Sequence, residues 1–263
     1  MGDLTALRAH LEQLGRVTVA FSGGADSAFL AWVAHDTLGP EHATAVTAVS
    51  PSLAGFEHDD CSALAREWGL HWVEVVTNEM LEAAYRRNDG DRCFHCKDAL
   101  MHALGPLAAA DGSTVVLGVN LDDLGDHRPG QRAASERGAA FPLVEAGFTK
   151  ADVRATSQQL GLRTWDKPAA ACLASRVPYG TPVTMGVLST VERAETALRA
   201  LGFDDLRVRH YGDLARLEVP VLQIDQVVAL RPAVVDAVRS AGYTYVTLDL
   251  EGLRSGNLNQ ALG

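Results

Sequence analysis

Val17-Thr18-Val19-Ala20-Phe21, then Ser22-Gly23-Gly24-Ala25-Asp26-Ser27, then Ala28-Phe29-Leu30-Ala31-Trp32-Val33 is the run on which the fold turns. Its first five residues have the unbroken apolar character of a strand buried on both faces of a parallel sheet. Its last six read as a helix opened by Ser27. Between them lie two serines, two glycines and an aspartate. Adjacent glycines let backbone N–H groups close on an anion without Cβ interference. The helix start behind them adds partial positive charge. The Ser22 and Ser27 hydroxyls are donors for phosphate oxygens, and Asp26 is a ligand type suited to magnesium. The pattern G-x-x-x-x-G-K-[ST] is missing, so this loop carries no lysine of its own for a γ-phosphate. The alternative is a glycine-rich turn without a ligand.

Outward from this run, strand-like and helix-like stretches alternate. Leu4, Leu7, Leu11 and Leu14 mark an amphipathic helix before the first strand. Thr44 to Ser50 reads as a second strand, Asp59 to Gly69 as a helix, and His71 to Val76 as a third strand. A helix from Arg92 to about Ala110 precedes a fourth strand, Thr114 to Val119. This alternation implies an α/β fold with a doubly wound parallel sheet and right-handed crossovers. Ligands of such sheets sit beyond the carboxyl ends of the strands. Ser22–Ser27, Ser50 and the polar loop Asn120–Gly130 all fall at that edge. Lys150 to Leu160 reads as a helix. Trp165-Asp166-Lys167-Pro168 then marks a boundary, because Pro disfavours helix at the residue before it. Beyond it come a helix over Met185–Leu201, a hairpin of Leu206–His210 with Leu214–Val219, helix over Val221–Ala241 interrupted near Pro232, and a strand over Tyr243–Leu250. The expected architecture is therefore a first domain of residues 1–165 and a small α+β domain of residues 166–263 built on an antiparallel sheet. The tail from Ser255 to Gly263 has no pattern.

Composition narrows the function classes. The 263 residues are 47% hydrophobic and 21% charged, as in a globular protein. No apolar run of membrane-spanning length occurs. The first 15 residues lack the layout of a signal peptide, so a cytoplasmic location is expected. With 33 acidic against 23 basic residues, the formal net charge is −10, which argues against a broad nucleic-acid surface. Four cysteines in such a chain are expected to be reduced thiols rather than a disulfide framework.

Three constellations carry further chemistry. Cys93-x-x-Cys96, flanked by Arg92 and His95 at a helix start, is a metal- or redox-type pair, against the bland reading of two packed thiols. Cys172 lies in a loop of small residues before Ser175 and Arg176, where a guanidinium would favour the reactive thiolate. Arg207 and Arg209 alternate on one strand and so share a face, with Arg216 and Glu218 on its partner. Two guanidiniums side by side match a phosphate, and the alternative is a solvated sheet face. Cys61, among Ala63, Leu64 and Ala65, reads as core. Lys150 and Lys167 are ambiguous by themselves.

The loop Ser22–Ser27 resembles the PP-loop of ATP-dependent adenylating enzymes, in which the substrate attacks the α-phosphate and pyrophosphate leaves. The whole chain resembles the LarE family of ATP-dependent sulfur transferases. The resemblance rests on Ser22–Ser27, Asp91–Lys97, Asn120–Gly130, Asp249–Gly256 and above all Lys167–Gly180, K-P-A-x-A-C-L-A-S-R-V-P-Y-G. It implies conversion of pyridinium-3,5-biscarboxylic acid mononucleotide into its bis-thiocarboxylate, the precursor of the nickel-pincer nucleotide of lactate racemase. It implies ATP and Mg2+ as cofactors, with Ser22, Gly23, Gly24, Asp26, Ser27, Ser50 and Met80 binding nucleotide. Ser175, Arg176, Arg207 and Arg209 would hold the substrate phosphate, with Glu195, Asp225 and Asp123 near metal and substrate. Cys172 matches the cysteine that attacks the acyl adenylate or supplies sulfur. Some members consume that cysteine; others hold a 4Fe–4S cluster through three. The additional Cys93 and Cys96 depart from the single-cysteine pattern and point to a cluster on Cys93, Cys96 and Cys172. A homo-oligomer, a hexamer in the family, and a sulfur-donor protein are the expected partners. A tRNA thiolase is the competing enzyme class, and a non-catalytic nucleotide- or metal-binding module the competing binding class.

Overall fold

The computed structural model describes residues 2–125, 129–168 and 171–254. Asp126, His127 and Arg128 of the polar loop, Ala169 and Ala170 of the K-P-A stretch, and the tail from Ser255 lie outside the described residues. Among the described residues no helix is long and apolar enough to cross a membrane. The chain divides into two units. The first comprises residues 1–50, 57–79 and 93–170; the second comprises 51–56, 80–92 and 171–263.

The first unit is built on four parallel strands: β1 (Val17–Ala20), β2 (Ala43–Val49), β3 (His71–Val76) and β4 (Thr114–Leu117), in the order β3-β2-β1-β4. Every pairing is parallel, as the sequence pattern predicts. The period-2 alternation of the strands sends side chains to two faces. Val17, Val19, Ala43, Ala45 and Val116 face one way and pack with α1 (Leu4–Leu14), α2 (Ala25–Leu38), α3 (Gly55–Trp68) and α8 (Lys150–Gln159). Val46, Val115 and Leu117 face the other way and meet Leu100, Met101, Leu104 and Ala108 of α5 (Arg92–Asp111) and Ala134 of α6 (Pro129–Glu136), while α7 (Pro142–Glu145) adds Leu143 to the first face. Both faces are thus covered, which is the arrangement that buried parallel strands require. Between β1 and β4 the strand order reverses direction, and this switch point is where open α/β sheets bind ligands. The helix after β1 starts at Ala25 with Gly24 as its N-cap, two residues earlier than a start at Ser27. Ser27 turns its hydroxyl back into the loop rather than capping the helix, which accounts for the difference.

The second unit holds α4 (Ala83–Arg87), α9 (Met185–Arg199), α10 (Ile224–Ala229), α11 (Arg231–Ser240) and a sheet ordered β5 (Arg207–Tyr211), β6 (Leu214–Glu218), β7 (Tyr245–Leu248). β5 and β6 form the expected antiparallel hairpin. β7, however, runs parallel to β6, so the sheet is mixed and not antiparallel. The reason is the connection: α10 and α11 carry the chain back to the starting end of β6, and a helical crossover lays the next strand parallel. Ala194, Leu198, Phe203, Val208, Ala215, Leu217, Val234 and Val238 form its core.

Candidate functional site

In the first unit the loop after β1 is organised by its own hydroxyls. Ser27 Oγ receives the backbone N–H of Ser22 at 3.2 Å, lies 3.0 Å from Ser22 Oγ and donates to Gly24 O at 3.1 Å. Gly23 has φ +69°, a left-handed conformation that L side chains rarely adopt. A Cβ there would also stand 2.8 Å from Cys61 Sγ. No side chain caps the start of α2. Its N–H groups face the end of the loop, the arrangement that receives anions.

The end of β4 closes on this loop. A Cβ at Gly118 would lie 2.8 Å from Ser27 N and 2.9 Å from the Asp26 carbonyl carbon, so only glycine allows the approach. Asn120 then donates through Nδ2 to Asp26 Oδ1 at 3.0 Å, and its backbone N–H donates to Asp123 Oδ2 at 3.2 Å. Asp26, Asn120 and Asp123 therefore meet at the switch point. The Asp26 carboxyl is raised above its usual range, first by burial. The charge of Asp123 adds to the rise, against the opposing pull of Lys150, the Asn120 hydrogen bond and Arg154. Such a carboxylate gains from a cation beside it, so the donor set fits magnesium in kind.

A cation absent from the loop's own sequence arrives from far along the chain. Lys167 Nζ donates to Gly23 O at 3.0 Å, Glu57 Oε2 at 2.8 Å and Asp60 Oδ2 at 2.7 Å. Lys167 was ambiguous by itself in the sequence; it opens the K-P-A stretch, but that stretch gave it no role. Gly118 was also passed over, although a glycine straight after an apolar strand hints at close backbone approach. Cys61 is wholly buried, as expected of a core residue. Burial pushes its thiol up to about 11. Ser50 follows β2 in this unit, and Met80 lies in the helical turn Glu79–Leu81, where its carbonyl accepts from Arg86.

The second unit places Cys172 before the short turn Leu173–Arg176. Ser175 Oγ donates to Cys172 O at 2.7 Å, and Arg176 Nη1 donates to Ala171 O and, at 3.2 Å, to Cys172 O. Arg176 also forms a fork with Glu195, Nε to Oε1 at 2.8 Å and Nη2 to Oε2 at 3.1 Å, both side chains almost fully buried. Glu195 Oε1 in addition accepts Val208 N.

On the hairpin, Arg207 stands opposite Glu218 and Arg209 opposite Arg216, all on one face. Arg209 is buried; its Nε and Nη2 both donate to Glu218 Oε2, and its Nη1 donates to Ser175 O at 2.8 Å. Arg216 donates to Glu218 Oε1 at 2.9 Å. This face is thus a buried ion-pair layer, with Arg207 at its margin, half-buried. Burial lowers the Arg207 guanidinium to about 10, with the neighbouring cations Arg176 and Arg209 adding to the shift and Glu218 and Glu195 opposing it. Arg207 Nη1 also donates to Arg254 O at 3.5 Å. The structure brings Cys172, Ser175, Arg176, Glu195, Arg207 and Arg209 into one connected group. Asp225 is exposed in the first turn of α10.

Sequence reasoning also missed Asn88. It is buried, has φ +61°, and its Nδ2 donates to the carbonyls of Val177, Pro178 and Thr181, clipping the segment after Arg176 in place. Its signal in the sequence is its place at the head of Asn88-Asp89-Gly90-Asp91, a run of turn-forming residues.

Cys93 is exposed and Cys96 half-buried on the first turn of α5, in the first unit, while Cys172 is half-buried in the second. Three accessible thiols suit a soft iron–sulfur group in kind, and the buried Cys61 does not join them. Among the described residues no group of three or more His, Cys, Asp or Glu stands together in a way that would hold a metal ion.

No protein-family model matches the chain. Among characterised sequences it is 41% identical, over 97% of its length and 93% of that protein, to pyridinium-3,5-bisthiocarboxylic acid mononucleotide synthase of Lactiplantibacillus plantarum. It is 48% identical, over 98% of its length and 97% of that protein, to the uncharacterised protein slr1717 of Synechocystis sp.. An uncharacterised protein of Methanocaldococcus jannaschii, MJ0830, shares 23% identity over 91% of each chain. Identity of this depth across nearly the whole chain settles the family: the chain belongs to the LarE family, that of the pyridinium-3,5-bisthiocarboxylic acid mononucleotide synthases.

Proposed function

We propose that the chain is an ATP-dependent sulfurtransferase acting on pyridinium-3,5-biscarboxylic acid mononucleotide, replacing carboxylate oxygen with sulfur. The observation that carries this reading is the 41% identity over 97% of the chain to the Lactiplantibacillus plantarum synthase. The geometry of each unit supports it. ATP would lie with its phosphates against the Ser22–Ser27 loop and the start of α2. A substrate carboxylate oxygen attacks the α-phosphorus, the bond from that phosphorus to the bridging oxygen breaks, and pyrophosphate leaves with the electron pair. Asp26, oriented by Asn120, would hold Mg2+, which neutralises charge on the departing pyrophosphate. A sulfur nucleophile then attacks the acyl carbon and AMP departs.

In the second unit, Arg207 is the guanidinium we assign to the substrate phosphate. Arg176 and Arg209, each fixed by a buried carboxylate, keep the field positive around it. They also hold the carbonyls of Cys172 and Ser175, and with them the loop that presents the Cys172 thiol. We further propose that Cys93, Cys96 and Cys172 hold a 4Fe–4S cluster. Such a group would supply a replaceable sulfur atom for the transfer. By family resemblance the working form is a hexamer served by a sulfur-donor protein.

The test is pyrophosphate release upon adding the pyridinium dicarboxylate. Release that depends on that substrate supports the reading; ATP turnover that ignores it, or responds to tRNA instead, overturns it. For the cysteines, Cys93→Ala is expected to abolish sulfur transfer. A single turnover in that variant, with dehydroalanine appearing at position 172, would show that Cys172 itself is consumed.

A further inference from the structure

We propose that Lys167 is a positioning residue for ATP: its ammonium fixes the Gly23 carbonyl and so keeps the phosphate loop in its anion-receiving conformation. The inference rests on the reading of Ser22–Ser27 as a nucleotide loop and adds a component that the loop's own sequence lacks. Lys167 lies 144 positions from Gly23, yet its Nζ is 3.0 Å from Gly23 O.

Three features separate this role from that of a lysine waiting to bind phosphate. First, the ammonium has three N–H donors and three acceptors, Gly23 O, Glu57 Oε2 and Asp60 Oδ2. Two carboxylates more than match its charge, so what it contributes is geometry. Second, the carbonyl it holds belongs to a peptide that could turn over. Gly23 sits at φ +69° with no side chain to anchor it. The Gly23 C=O and the Gly24 N–H share one planar trans peptide and point in opposite directions. Fastening the oxygen on the Lys167 side therefore directs the N–H away from it, toward the open start of α2. A flipped peptide would turn a carbonyl oxygen toward the anion. Third, Lys167 is itself held. Arg154 of α8 donates to Trp165 O at 3.1 Å and to Lys167 O at 2.9 Å. Arg163 joins the same ionic cluster from its outer side, donating to Asp60 Oδ1 at 2.7 Å, not to the Oδ2 that Lys167 holds, and to Glu67 at 2.8 Å. Cys61 Sγ, lying against Gly23, reports on the same peptide.

The test compares Lys167→Met, Lys167→Arg and Arg163→Met in the full-length protein. Arg163→Met weakens the same ionic cluster but leaves the bond to Gly23 O. In Lys167→Met, KM for ATP is expected to rise about tenfold or more, the size of a lost charged hydrogen bond, with KM for the pyridinium substrate unchanged. Lys167→Arg should recover part of that loss, and Arg163→Met should lower the melting temperature without moving KM for ATP. Alkylation of Cys61 by N-ethylmaleimide, followed by peptide mass spectrometry without nucleotide and corrected for each variant's global unfolding, should be faster in Lys167→Met than in Arg163→Met; loss of the Lys167 charge by itself disfavours the Cys61 thiolate, so the acceleration reads the opened loop. Equal ATP KM and equal Cys61 labelling in Lys167→Met and wild type would overturn the proposal. So would parallel effects in both variants, which would mark a merely structural ion pair. A wild-type protein that binds no ATP would instead sink the nucleotide reading, while the Cys61 labelling still decides whether Lys167 holds the loop.

Discussion

Among single residues, each unit presents one side chain that its environment shifts from its ordinary state and to which the proposed function gives a ligand of opposite charge. In the first it is Asp26, half-buried near Asp123 and oriented by Asn120. Asp26→Ala is expected to abolish substrate-dependent pyrophosphate release while the far-UV circular dichroism stays native; release at the wild-type rate from the folded variant would remove Asp26 from the metal role. In the second it is Arg207, lowered to about 10 by burial and by the cations next to it. Arg207→Ala should raise KM for the pyridinium mononucleotide and leave KM for ATP in place. A lost charge-assisted phosphate contact is worth roughly 1.5–3 kcal/mol, or about ten- to a hundredfold in affinity. Titration calorimetry with the mononucleotide would check this, and unchanged affinity would move the phosphate elsewhere. Arg207 and Arg209 were readable from strand alternation alone. What alternation cannot convey is that Arg209 is committed to Glu218 and to Ser175 O, because those partners are brought together only by the hairpin register and the turn before it.

At the scale of elements, the strands differ in what their energetics demand. β6 carries Glu218, fully buried and bonded to Arg209 and Arg216. Removing one member of such a buried group leaves charge without compensation, at a cost of about 3–5 kcal/mol. Glu218→Ala should therefore lower the urea midpoint far more than Arg216→Ala, whose guanidinium is partly exposed; equal small losses would contradict the burial argument. The Lys167–Asp60 latch makes a pH prediction. Burial works to raise the Asp60 carboxyl, but hydrogen bonds from Lys167 and Arg163 prevail and hold it below its usual 3.8. Burial works to lower the Lys167 ammonium, but hydrogen bonds to Asp60 and Glu57 prevail and raise it above 10.5. A lowered acid stabilises the fold above its unfolded pKa and loses that stability as pH falls through the folded one; a raised base does so below its own and loses it as pH rises. The latch is thus complete between about 4 and 10.5. Unfolding curves should show stability declining on acidification below 3.8, with a shallower decline in Asp60→Asn. An identical acid limb in that variant would mean that Asp60 does not contribute.

At the scale of the whole molecule, local pattern carried the parallel sheet and little of what connects it to the site. Apolar strands between amphipathic helices announce β1 to β4 because each element is specified by its own few residues. β7 was legible as a strand but not in its direction, since direction depends on where α10 and α11 return the chain. The Ser22–Ser27 loop stood out as a candidate because its residues are contiguous, whereas the contact of Lys167 did not, since its partner Gly23 lies 144 positions away. Segments 51–56 and 80–92, which belong with the second unit, carry no composition change that would mark them. The proposed function couples ATP cleavage to sulfur insertion into a pyridinium dicarboxylate. The direct measurement is mass spectrometry of the mononucleotide after incubation of anaerobically purified protein with ATP, Mg2+ and a sulfide source. The expected result is ATP-dependent exchange of oxygen for sulfur at the carboxylates, with pyrophosphate and AMP formed in step. An unaltered mononucleotide recovered from protein that has consumed ATP would contradict it.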